Sequence, residues 1–340
     1  MLRTIPRLFS KPLSRGFLAG LHATGDRPEY DNFADAYEAI SQVPDNLLAE
    51  FESELMEGQG REFIYGSKLV SVIDTTTSTS TSTSTLPTKE TLRTLILNER
   101  PNLVQTCIKV PGPAGSQFIS DGAPSPISET HLGGLALTLL LSPSSSPSCV
   151  IVGAGGCTLP HTISVFNESG SVVAVEPCEE VCAAARQWFG VTPSCGFELV
   201  TDFGEPYLSS LSQSPNSLDI LILDADDGSV PPRSMQEPNF WSDVVRPVLH
   251  EEGVVGVNVI GDQETQELLQ DTLESNLPNH SVVRVRAPVE ADVDVDRHSL
   301  FFATPYKIDA DELERRLKEY LVVSDAAAWL REVRKSVISI

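Results

Sequence analysis

Two rhythms of apolar and polar positions divide the chain near residue 131. Before it, Phe33, Tyr37 and Ile40, then Leu47, Leu48, Phe51 and Leu55, sit at helical spacing, and a helix is expected over about residues 30–58. From Glu62 the pattern shortens to β-like runs at Phe63–Tyr65, Leu69–Ile73, Thr94–Leu97 and Val104–Val110, which predict a small antiparallel β subdomain. Between the second and third runs lies Thr75–Thr85, a pure Ser/Thr repeat. It has no apolar surface to bury, so a disordered hairpin loop without a chemical role is expected.

After His131 a helix at Leu132–Leu141 leads through the linker Ser142–Ser148 into a regular alternation of strands and helices. Strands are expected at Cys149–Val152, Ser171–Glu176, Phe197–Thr201, Leu218–Asp224 and Gly253–Val259. The helices that follow them run to about Asn167, then over Glu179–Phe189, Glu205–Leu211, Phe240–Leu249 and Gln263–Asn276. Strands Ser281–Ala287 and Ser299–Thr304 close the set before helices at Ala310–Leu321 and Ala326–Val337. Runs such as Cys149–Val152 and Ile220–Leu223 are apolar throughout, as strands of a parallel sheet are when both faces are covered. The alternation therefore implies a doubly wound α/β fold, with ligands at the carboxyl ends of the strands.

Three successive strand ends carry what a nucleoside needs. The first turn reads Val152-Gly153-Ala154-Gly155-Gly156-Cys157, and glycines there let the backbone turn tightly and approach a ligand without a Cβ in the way. Such a turn is a weak signal alone; its place between a buried strand and a helix strengthens it. Glu176, followed by Pro177, ends the second strand about twenty residues on, where a carboxylate accepts both hydroxyls of a ribose. An exposed strand-end glutamate is the plainer alternative. The third strand ends Thr201-Asp202-Phe203. Asp202 is placed to accept from an adenine amino group with Phe203 packed on the ring, or else to cap the next helix. NAD is disfavoured, because Leu159 or Pro160 stands where the third glycine of GxGxxG belongs. S-adenosylmethionine is the expected cofactor.

The fourth strand ends Asp224-Ala225-Asp226-Asp227-Gly228. Carboxylates so close repel one another unless a cation is present. A substrate ammonium would relieve that repulsion, and a carboxylate beside the amine can take its proton and leave a lone pair to attack a methyl group. Asp224, Asp226 and Asp227 are therefore the catalytic candidates. A Mg²⁺ ion or a solvated acidic turn would suit the same residues.

Composition narrows the partners. A net charge of −23 argues against nucleic acid, whose phosphates need a basic surface. It suits a cationic partner, a polyamine or a basic protein, through long-range steering; solubility alone explains it equally well. No apolar run reaches the roughly eighteen residues of a membrane span. The cysteines at 107, 149, 157, 178, 182 and 195 show no CxxC or His/Cys metal spacing and are expected to be reduced, in a protein that is not secreted. The first 25 residues break the acidic pattern. Arg3, Arg7, Lys11 and Arg15 recur among Leu2, Ile5, Leu8, Phe9, Leu13 and Phe17, and no acid precedes Asp26. That is the composition of an organellar transit peptide; it predicts a mitochondrial location, with the cytoplasm as alternative. The expected organisation is thus a leader over 1–25, a helix and β subdomain over 26–130, a cofactor domain over 131–305 and terminal helices over 306–340.

With these motifs assembled, the chain resembles the spermidine-synthase-like branch of class I methyltransferases, and within it the C-terminal domain of the elongation factor 1A lysine and N-terminal methyltransferase family (methyltransferase-like protein 13). The resemblance is carried by Asn102-Leu103-Val104-Gln105, Gly134-Leu135-Ala136-Leu137, Val152 through Pro160, Val175-Glu176-Pro177, Ala185-Arg186-Gln187-Trp188-Phe189-Gly190 and Ile222-Leu223-Asp224-Ala225-Asp226. It implies a Rossmann-like sheet of seven mostly parallel strands behind a small antiparallel β subdomain. It places Gly153, Gly155, Glu176, Asp202 and Asp224 around S-adenosylmethionine, with Gln105 reaching it from above and Asp224 or Asp226 facing an amine, on an elongation-factor-like protein or a small molecule. It also leaves room for a homodimer. Polyamine synthases are similar in the same places, and aminopropyl transfer is the alternative activity. Their glycine loop holds the amine of decarboxylated S-adenosylmethionine with an aspartate, where this chain has Gly156; their paired His-Glu in the preceding helix is replaced by Glu129-Thr130. Asp224 and Asp227, on the other side, keep the spacing of the synthases' two acids. A cytosolic elongation-factor substrate also sits uneasily with a mitochondrial leader.

Overall fold

The computed structural model describes residues 61–67, 69–79, 88–98, 104–110, 112–116, 130–225, 231–286 and 298–319. The leader over 1–25, the helices expected at 30–58 and Ala326–Val337, and the candidates Asp226 and Asp227 lie outside these residues. The chain divides between Phe118 and Ile119 into two compact units.

In the first unit, β1 (Arg61–Gly66), β2 (Val70–Thr79), β3 (Thr88–Leu97) and β4 (Val104–Val110) form an antiparallel meander in the order β1-β2-β3-β4. Val70, Val72, Ile73, Leu95 and Ile96 are buried in it. Among them lies a fully buried ion pair, in which Arg93 Nε and Nη2 donate to Asp74 Oδ1 and Oδ2 at 2.8 and 2.7 Å. Two buried charges are tolerated because their remaining valences are filled: Gly115 N donates to Asp74 Oδ2, and Arg93 Nη2 to Ser116 O, both at 2.8 Å. The loop expected over Thr75–Thr85 needs correcting, since Thr75–Thr79 continue β2 and pair with Thr88–Leu92. β-branched threonine favours the extended backbone, and ladder hydrogen bonds form without apolar burial. Residues 80–85 lie outside the described residues.

The second unit is a seven-stranded sheet. Its strands are β5 (Ser148–Val152), β6 (Ser171–Glu176), β7 (Glu198–Thr201), β8 (Leu218–Leu223), β9 (Leu249–Ile260), β10 (Ser281–Arg286) and β11 (His298–Thr304), in the spatial order β10-β11-β9-β8-β5-β6-β7. β5 to β9 run parallel, while β11 is antiparallel to both of its neighbours. Alternate residues of each strand serve opposite layers. Cys149, Ile151, Ile220, Ile222 and Val254 pack with Leu135, Leu137, Leu140, Leu159 and Ile163; Val150, Val152, Leu221, Leu223 and Val255 pack with Leu208, Trp241, Val245 and Leu269. Two covered faces are why these strands are apolar without interruption.

The α-helices of five residues or more among the described residues are α1 (Thr130–Leu135), α2 (Leu137–Leu141), α3 (Thr158–Phe166), α4 (Glu179–Trp188), α5 (Gly204–Ser210), α6 (Gln263–Asn276) and α7 (Ala310–Glu319). Two expectations change. The helix over Leu132–Leu141 is two, broken at Ala136 by a tighter bond from Leu139 N to Ala136 O at 3.2 Å, just after Gly133 and Gly134, which hold a helix weakly. The helix expected over Phe240–Leu249 is a π-helical turn, Phe240–Val245, with only Arg246–Val248 α-helical after it. Leu249 already begins β9, pairing with Leu218. Beyond the covering layer His250, Glu251 and Glu252 are free to be polar, which hid the start of the strand.

Candidate functional site

The order of the sheet reverses at β5, which has β6 on one side and β8 on the other. In doubly wound sheets the crevice outside the carboxyl ends at such a point receives the ligand, and the expected glycines fall there. Gly153 has φ +91° and Gly155 φ +49°, the left-handed region that side chains avoid. A Cβ on Gly153 would lie 2.6 Å from the Asp224 carbonyl oxygen, so only glycine lets the turn pass this close to the end of β8. Gly153 N donates to Val175 O at 2.9 Å and Asp224 N to Val152 O at 2.8 Å, which ties the turn to both neighbouring strands. Gly156 is buried behind it. Cys157 also adopts a left-handed φ, +66°, and begins α3.

Glu176 ends β6 as expected but is buried, so the exposed strand-end alternative fails. Its Oε2 accepts from Gly155 N and its Oε1 from Cys178 N, both at 3.1 Å. Burial raises its pKa to about 7, against the pull of the N–H groups of Cys178, Gly155 and Ala154. Each carboxylate oxygen has two lone pairs, so capacity for hydroxyl donors remains. Asp202 ends up next to it, its N–H donating to Glu176 O at 3.2 Å. The Asp202 carboxylate accepts from Phe203 N at 2.8 Å, and it is Phe203, not Asp202, that precedes the first turn of α5. The Phe203 side chain is 46% exposed, unusual for a large apolar ring at the mouth of a sheet. Gln105 lies in the first unit, in a β-bulge of β4 where the register skips from Thr106 to Val104. Pro177 follows Glu176 at the start of the turn into α4.

Asp224 directly follows β8 and sits in a group that sequence reasoning missed. Asn258 Nδ2, from β9, donates to Asp224 Oδ1 at 2.9 Å. Asn258 Oδ1 is 2.7 Å from His298 Nε2, at the start of β11. His131 Nε2, from α1, stands 3.8 Å from the same Asp224 oxygen, and the two imidazoles lie 5.4 Å apart between centroids. Because β11 runs against the other strands, its first residue lies at their carboxyl ends. Burial, with the neighbouring His298, lowers the His131 pKa to about 3, and burial lowers His298 to about 4. Both rings are therefore neutral at physiological pH, and Asp224 has no cation beside it from either.

A cluster of thiols lies behind the glycine turn. Cys157, Cys178 and Cys182 are free and buried, and burial pushes all three up, Cys178 to about 12. Cys182 Sγ reaches Glu176 O at 3.8 Å. Neutral thiols packed this way fill space rather than react.

No protein-family model matches the chain, and no curated protein matches it in sequence. Solved structures do. A probable spermidine synthase from Corynebacterium glutamicum aligns with a TM-score of 0.53 over 75% of this chain and 85% of its own, at 14% identity. A spermidine synthase from Thermotoga maritima aligns with a TM-score of 0.50 over 82% of this chain and 94% of its own, at 14% identity. Human methyltransferase-like protein 13, in complex with SAH, has a TM-score of 0.44 over 60% of this chain and 90% of its own, at 23% identity. With its reversed β11 and an antiparallel sheet earlier in the chain, the chain has the spermidine-synthase-like class I methyltransferase fold.

Proposed function

We propose that the chain is a methyltransferase that binds S-adenosylmethionine at the crevice between β5, β6 and β7 and methylates an amine on a protein. The observation that carries this reading is the turn from Gly153 to Cys157, which offers backbone and small side chains and no acid. An aspartate at Gly156, the position the similar polyamine synthases use to hold an amine, would repel the carboxylate of the intact cofactor. Two charges 4 Å apart near a surface interact by roughly 4 kcal/mol, enough to decide between the two forms of the cofactor.

The residues fit that group. The left-handed Gly153 and Gly155 keep side chains out of the turn, and Gly153 lets it pass close to the end of β8; Glu176 would take the ribose hydroxyls, Asp202 the adenine amino group, and Phe203 would cover the ring. When bound, S-adenosylmethionine supplies a sulfonium methyl, which passes to an attacking nitrogen while the bonding pair stays on sulfur. The chain's part is to bring the nitrogen in line, where orientation alone lowers a barrier by several kcal/mol. The Asp224 carboxylate would hold the incoming ammonium and draw off its proton, since nothing cationic in His131 or His298 competes for it.

Calorimetric titration with S-adenosylmethionine and its decarboxylated form tests the reading. Tighter binding of the intact form is expected, and tighter binding of the decarboxylated form would replace methyl transfer by aminopropyl transfer. Asp224→Ala should abolish turnover while the cofactor still binds; undiminished turnover would remove Asp224 from the mechanism.

A further inference from the structure

The four residues around the end of β8 come from four separate places in the chain: His131 from α1, Asp224 from the position just after β8, Asn258 from β9 and His298 from β11. Their chemistry fixes their orientation. An ionised carboxylate only accepts, so the amide of Asn258 must turn its NH₂ to Asp224 and its oxygen to His298. That oxygen also only accepts, so His298 Nε2 must carry the hydrogen, and its Nδ1 is then bare in the neutral ring. Each partner fixes the next, and the last link in the chain is the rotamer of Asp224.

An asparagine is an odd choice here for packing alone. It interrupts the apolar run Val254–Val259 with its side chain almost wholly buried, and a buried amide costs stability unless each of its groups is paired. Asp224 keeps 13% of its side chain exposed and His131 26%, so the group opens toward the crevice on the side of these two. His131 is too far from Oδ1 for a hydrogen bond and forms a wall beside it.

We infer that His298 and Asn258 are positioning residues that hold the Asp224 carboxylate at the angle needed to receive the acceptor's ammonium, with His131 lining the approach. This rests on the reading of Asp224 as the amine-holding group. The relay restricts one oxygen and leaves the carboxylate a single bearing. An acceptor nitrogen is then placed by the sheet rather than by a mobile side chain.

The test uses the full chain saturated with S-adenosylhomocysteine, with n-butylammonium as a stand-in for a lysine side chain, followed by imidazole ¹⁵N chemical shifts. In the unaltered protein His298 should show the Nε2–H tautomer, and the amine should shift both His131 and His298. Asn258→Ala and His298→Ala should each weaken amine binding at least tenfold while S-adenosylhomocysteine affinity stays within twofold. His298→Gln, whose amide can still donate to Asn258 Oδ1, should recover most of the loss; a merely structural role would give no such rescue. Amine affinity unchanged in His298→Ala, or the Nδ1–H tautomer in the unaltered protein, would overturn the relay alone. A parallel fall in cofactor affinity would also overturn it, as general damage. If the unaltered protein takes up no amine, the reading of Asp224 falls, and the relay with it.

Discussion

Glu176 shows how much one residue can reveal and how much it hides. Its place at a strand end about twenty residues after the glycine turn is visible in the sequence, because the spacing of a βαβ unit puts it there. Its burial and its bonds to Gly155 N and Cys178 N are not. Those give a definite pH dependence. Burial raises the pKa of the free protein to about 7; ribose hydroxyls donating to the carboxylate would favour its ionised form and lower the pKa in the complex. Cofactor affinity should therefore be full above about pH 7. It should fall by up to tenfold per pH unit as the pH drops below 7, until the lower pKa of the complex is reached. Calorimetry in buffers of different ionisation enthalpy should find a proton released on binding near pH 6, and Glu176→Gln should lose the slope. A flat profile in the unaltered protein would mean that the ribose does not meet this carboxylate. Asn258 is the opposite case. Its signal was there, an amide inside a run of valines, and such an amide requires partners. They lie 34 and 40 residues away, and no local pattern can pair them.

At the scale of elements, local rules worked where burial set the pattern and failed where it stopped. Ser171–Glu176 and Gln263–Asn276 fall where the sequence puts them, since one has the apolar run Val172–Val175 at its centre and the other has Asp262 as its N-cap, accepting from Thr265 N at 2.9 Å. The start of β9 and the threonines of β2 escaped notice because those strand segments carry polar residues in place of an apolar run. Contact between α2 and β9 was equally illegible, although it decides how the first layer sits. A Cβ on Gly256 would lie 2.2 Å from Thr138 Oγ1, and that buried hydroxyl has no hydrogen-bond partner among the described residues. Gly256→Ala should thus cost about 1–3 kcal/mol by overpacking. Thr138→Ala alone should cost less than about 1 kcal/mol, because it removes a hydroxyl that gains nothing from burial. Combined, the two should recover about 1 kcal/mol or more of the glycine's loss, a coupling that denaturant titration of the four proteins measures. Strict additivity would show that the helix and strand do not press on each other at this point.

Charge belongs to the whole molecule. A net −23 over 340 residues produces a field that no single carboxylate explains, and two roles for it compete. If it only keeps the protein soluble, ionic strength should leave catalysis nearly untouched. If it draws in a basic acceptor, the encounter should weaken as the Debye length contracts from about 30 Å at 0.01 M salt to about 8 Å at 0.15 M. Steering acts on the rate of encounter far more than on contacts already desolvated within a crevice. The two roles therefore separate by what changes. With a lysine-rich peptide as acceptor, kcat/KM should fall by about tenfold or more over that salt range, while kcat at saturation and the affinity for S-adenosylmethionine move by less than about twofold. Neutralising only Asp224 should not flatten the salt dependence of peptide binding, because a field summed over many acids survives the loss of one. A loss of salt dependence on that single change would locate the attraction in the site itself and leave the remaining acids to solubility.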